Sequence, residues 1–72
     1  MNILIFITDL KTKKNIQSVS PIFNNNSMIL KWNVDREDID NVLRIEAQNG
    51  LNEEDIIRLM ETHGFYCEEL AY

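Results

Sequence analysis

The stretch ILIFITDLKTKKNIQSVSPIF, residues 3–23, decides the fold. Its first six residues, Ile3–Thr8, carry no charge and do not alternate. That is the pattern of a central strand with apolar side chains on both faces. Thr12 then stands where a helix N-cap would accept a bond from the amide of Asn15. Ile16, Val19, Ile22 and Phe23 follow at helical spacing on one side. Pro21 interrupts the run, and inside a helix it removes one hydrogen bond at a cost of about 3 kcal/mol. Either the helix kinks there, or a fresh turn starts with Ser20 as cap and Pro21 in its first position.

Working outward, Asn24-Asn25-Asn26-Ser27 is a polar turn whose side chains can bond their own backbone. Met28, Leu30, Trp32 and Val34 alternate with Ser27, Ile29, Lys31 and Asn33, the period of a half-buried strand. The acidic run DREDID, residues 35–40, reads as a solvated hairpin connection. Over Asn41–Ala47, Leu43, Ile45 and Ala47 face one way, while Val42, Arg44 and Glu46 face the other. Asn52 opens a second helix, and Glu53, Glu54 and Asp55 complement its positive end. Ile56, Ile57, Leu59, Met60 and His63 form its buried side, and Gly64 supplies a left-handed stop. Phe65–Leu70 is the last strand. The order βαββαβ implies an α+β, ferredoxin-like sandwich: a four-stranded antiparallel sheet with two helices on one face.

The chain has 72 residues, enough for a single domain, residues 1–72, with one modest core. Its 44% apolar content, with two Gly and one Pro, fits a compact globule rather than a disordered segment. One cysteine, Cys67, excludes an internal disulfide and favours a reducing compartment, the cytoplasm. The apolar run Ile3–Ile7 is too short for a signal peptide or a membrane span. Residues 1–33 carry four Lys against one Asp, whereas residues 34–72 carry three Arg against eleven acids. That balance argues against nucleic acid as a partner, since phosphate binding needs a broad basic surface.

With the elements placed, the chain resembles the heavy-metal-associated domain of copper chaperones and of heavy-metal-transporting ATPases. Asp9, Leu10 and Lys11 fall where that family has G-M-T, and Thr12 and Asn15 fall on its two cysteine positions. Val19 and Phe23 match its helix core, and EEDIIRLMETHGFYCEEL looks like its closing helix, G-[YF] turn and final strand. The resemblance implies the fold, but the metal chemistry departs from it. Soft metals such as Cu(I) are held by thiolates, which Thr12 and Asn15 cannot replace. Lys11, Lys13 and Lys14 would repel a cation further. Helix capping accounts for Thr12 and Asn15.

Besides Met1, Met28 and Met60, which are too scattered to form a cluster, the conventional soft-metal ligands that remain are His63 and Cys67. They are the candidates for an atypical copper or zinc site, although two ligands do not close one. No enzyme constellation stands out: there is one His, no nucleophile motif and no glycine-rich phosphate loop. DREDID has neither the ligand order nor the central glycine of a hard-cation loop.

Two surfaces are candidates for contact. Lys11, Lys13 and Lys14 sit at a helix N-terminus, where amides and ammonium groups together attract carboxylate or phosphate. The resemblance points to the same loop, because partners of metal chaperones dock around it. On the sheet, Leu4, Phe6, Thr8 and Leu10 point towards the helices. Ile3, Ile5, Ile7, Ile29 and Val42, with Tyr66 and Leu70, then make a partly apolar outer face, interrupted by Lys31, Arg44, Glu46 and Glu68. The function expected is a protein-interaction or regulatory module that has lost the usual metal loop, meeting a protein partner or forming a homodimer. The alternative is a copper chaperone-like metal-binding protein using His63 and Cys67.

Overall fold

The computed structural model describes residues 2–70. Six elements follow in the order β1 (Asn2–Thr8), α1 (Lys13–Asn24), β2 (Ile29–Asp35), β3 (Val42–Ala47), α2 (Glu53–Thr62) and β4 (Cys67–Glu69). The strands form one sheet in the order β2-β3-β1-β4, with every neighbouring pair antiparallel. The chain is thus a small α+β protein with four antiparallel strands and two helices. β1 lies inside the sheet between β3 and β4, which is why its sequence is apolar at successive positions.

Both helices bury their apolar stripe against one face of the sheet. Val19 and Phe23 of α1 and Ile56 and Met60 of α2 join Leu4, Phe6, Leu43, Ile45 and Ala47 in a single core. Phe6, Leu43, Ile45 and Ile56 have no exposed surface. The Phe23 ring meets Trp32 edge-to-face at 5.1 Å, and the Trp32 indole N–H donates to Asn24 Oδ1 at 2.9 Å. These contacts fasten α1 to β2.

Each helix begins with a reciprocal cap. Thr12 Oγ1 accepts from the Asn15 amide at 3.0 Å, and Asn15 Oδ1 accepts from the Thr12 amide at 3.3 Å. Asn52 and Asp55 repeat this exchange at α2. Pro21 does not divide α1, which runs through it to Asn24, so the fresh turn at Ser20 is not formed. Gly64, at φ 81°, provides the left-handed stop after α2.

Four expectations need correction. A bulge in β2 places Ile29 opposite Ala47 and Lys31 opposite Glu46, leaving Leu30 as the extra residue. One inserted residue reverses the alternation upstream of it. Ile29, expected on the outer face, therefore packs against the core, and Leu30, expected in the core, is 54% exposed. His63 is exposed rather than buried, because α2 ends at Thr62 and His63 is its C-cap. The last strand has three residues, not the six of Phe65–Leu70, although the Leu70 amide still donates to the Ile5 carbonyl at 2.9 Å. Among the described residues no helix is long and apolar enough to cross a membrane.

Candidate functional site

The loop between β1 and α1 is braced on both sides. The Thr8 hydroxyl donates to the Asn41 carbonyl at 2.7 Å and accepts from the Leu10 amide at 3.2 Å. Leu10 is fully buried, which anchors the loop in the core. Asp9 Oδ1 accepts from the Tyr66 amide at 3.0 Å and so ties the loop to the start of β4. Thr12 and Asn15 direct their side-chain oxygens at each other's backbone amides. Both positions therefore work as a helix cap, with hard, neutral groups where a soft metal would need sulfur.

Lys11, Lys13 and Lys14 are all exposed beside this cap. Lys13 and Lys14 occupy the first two helical positions, and the first turn of α1 has no acidic residue. Cations there oppose the positive end of the helix dipole, typically by 0.3–1 kcal/mol each. Nothing offsets this locally, since the single ion pair among the described residues is Arg44–Glu46 at 3.2 Å.

His63 and Cys67 lie in different environments. His63 is exposed, and its Nδ1 bonds the Leu59 carbonyl at 2.9 Å across the last turn of α2. Cys67 is 7% exposed and belongs to the core. Burial first, then the negative charges of Glu61 and Asp9, push its thiol from 9.0 up to about 12. A thiol held protonated is a poor metal ligand, because the thiolate is the binding form. Among the described residues no three His, Cys, Asp or Glu side chains gather where a metal could be held.

The outer face of the sheet presents different chemistry. Register places Ile3, Ile5 and Ile7 of β1 beside Glu46, Arg44 and Glu68, on the side away from the helices. Ile3 is 40% exposed, while Ile5, Ile7, Val42 and Leu70 are half-buried. Ile5, Val42 and Leu70 line a shallow depression of about 530 Å³, together with Asn33, Asp35, Asp38 and Arg44. Tyr66, 49% exposed, donates its hydroxyl to Glu68, which raises the phenol's pKa.

The acidic rim of this depression is the part that sequence reading missed. Asp35 Oδ1 accepts from the amides of Glu37 and Asp38, and Asp38 Oδ1 accepts from Asp40. Register puts Asp35, the last residue of β2, opposite Val42, and these Asx turns fold the rest of the DREDID run back so that Asp38 also lines the depression with Ile5 and Val42. The available signal was adjacency, since the acidic run leads directly into Val42. No protein-family profile matches the chain, and neither curated proteins nor solved structures contain a significant match.

Proposed function

We propose that this chain is a ferredoxin-like, heavy-metal-associated-like domain that works as a protein-interaction module in the cytoplasm and performs no catalysis. The strand order β2-β3-β1-β4 and the two β-α-β crossovers support the fold reading. The observation that carries the functional reading is the outer sheet face, where aliphatic side chains from β1 and β3 remain uncovered around a depression. Water-facing sheets alternate towards polar residues, and a patch of adjacent aliphatics marks a contact surface. The lysines at the start of α1 form a second contact area. They sit where they weaken the helix, a placement that stability alone does not favour.

A photo-crosslinking side chain at position 5, compared with one at exposed position 58 on α2, tests this reading in cells of the source organism. Partner crosslinks from position 5 and none from position 58 support it. Equal capture, or none from position 5, defeats it. The competing reading, a metal carrier using His63 and Cys67, is tested by titrating Cu(I) and Zn(II) under reducing conditions. Stoichiometric binding that survives a competing chelator and is lost in Cys67→Ala would restore the metal function.

A further inference from the structure

We infer that the outer sheet face receives a cationic amphipathic helix of a partner protein; this rests on the interaction reading above. β1 carries Ile3, Ile5 and Ile7 on one side and Leu4, Phe6 and Thr8 on the other. Such a strand belongs to a sheet covered on both faces, and only one face here is covered. The uncovered face is apolar only along a strip of β1 with Val42 and Leu70, bordered by Lys31, Asn33, Asp35, Arg44, Glu46 and Glu68, whereas the face that holds α1 and α2 is aliphatic across the sheet. The natural cover of that strip is a third helix with an apolar stripe.

An added strand fits less well than a helix. The two edges are β4, with three residues, and β2, whose bulge at Leu30 breaks the ladder. Short and bulged edges resist strand addition. The sheet face, by contrast, offers a depression floored by Ile5, Val42 and Leu70.

Charge selects the partner. Asp35, Asp38, Glu46 and Glu68 stand on this face against Lys31 and Arg44. Arg44 is already paired with Glu46, so the depression's rim keeps the unpaired carboxylates Asp35 and Asp38. Each spends its Oδ1 on backbone amides. A second copy of this chain, with net charge −5, would set like charges against each other. A helix bordered by lysine or arginine would complement the rim and cover the floor.

The test is titration of the ¹⁵N-labelled full chain with two 18-residue peptides of Leu and one charged residue, one lysine-bordered and one glutamate-bordered. The lysine peptide is expected to shift the amide signals of Ile3, Ile5, Val42 and Leu70. Its binding is expected to weaken at least tenfold in Asp35→Asn/Asp38→Asn. Asparagine keeps the Oδ1 acceptors, so the turns survive while the charge is lost. Unchanged binding in that variant, equal binding of the glutamate peptide, or no binding of either overturns the inference. Self-association abolished by Ile5→Lys, read by sedimentation, assigns the face to a second copy and overturns the partner while keeping the interface. Shifts confined to Lys11, Lys13 and Lys14, with none at Ile3, Ile5, Val42 and Leu70 for either peptide, overturn the sheet-face reading itself.

Discussion

The two helices of this protein share a cap and a buried stripe and differ in their first turn, their interior and their stop. Both open with a reciprocal capping box, Thr12 with Asn15 and Asn52 with Asp55. α2 then places Glu53, Glu54 and Asp55 in its first turn, in agreement with its dipole, and stops on Gly64. α1 places Lys13 and Lys14 there, contains Pro21, and stops on Asn25 at φ −87° without a left-handed residue. α2 is therefore locally consistent, whereas α1 departs from local preference at its start and its middle. What holds α1 must be tertiary: Val19 and Phe23 in the core, and the clasp onto Trp32. Departures of this kind concentrate where sequence serves something besides stability.

The largest test of that contrast is Phe23→Ala against Met60→Ala. Each residue is 1% exposed and anchors its helix. Phe23→Ala is expected to cost about 3–5 kcal/mol and Met60→Ala about 2–5 kcal/mol, read by urea unfolding. If α1 depends on tertiary contacts alone, Phe23→Ala should also release Lys13–Asn24 from hydrogen-exchange protection ahead of the rest. Uniform loss of protection would break the contrast.

Next in size is the behaviour of Cys67, which packs beside α2. With its thiol pushed up to about 12, the native protein should react with a thiol reagent at pH 8 far more slowly than the urea-unfolded chain. The pH dependence follows in sign. The folded thiol keeps its proton where the unfolded one has lost it, so its contribution to stability is complete below pH 9.0. It declines as pH rises from there towards about 12. Thermal unfolding should show a steeper loss above pH 9 in wild type than in Cys67→Ala.

Smaller again is Gly64→Ala. A Cβ at position 64 would meet no atom within 4 Å, so the expected cost of about 1–2 kcal/mol comes from the left-handed backbone alone. Asn25→Ala, at the other helix stop, should be near neutral because its φ of −87° suits any residue. Equal effects at the two stops would show that they are not built differently.

These local devices were the legible part of the molecule. Thr12, Asn52 and Gly64 act on backbone within a few residues of themselves, and the double-sided apolarity of β1 follows from its interior place in the sheet. The bulge at Leu30 was not legible, because nothing in MILKWNV, residues 28–34, distinguishes an inserted residue from plain alternation. That single insertion moved Ile29 off the outer face. Of the candidate surfaces, the lysines and Ile3, Ile5, Ile7 and Val42 could be placed from spacing. For the carboxylates of Asp35 and Asp38 the sequence offered only their adjacency to Val42; their position against Ile5 depends on β3 lying between β2 and β1.

The finest test returns to the two helix starts. Lys13→Glu places an anion at the positive end of α1, reproducing what Glu53 does in α2, and is expected to stabilise by about 0.3–1 kcal/mol. Glu53→Lys is expected to destabilise by a similar amount, and both effects should shrink in high salt. If Lys13→Glu instead destabilises, the lysine makes a favourable contact in the folded chain and its placement needs no functional explanation. If it stabilises, the native lysine is a standing cost to the fold. The binding of an acidic partner at this loop is then the property to compare between wild type and Lys13→Glu.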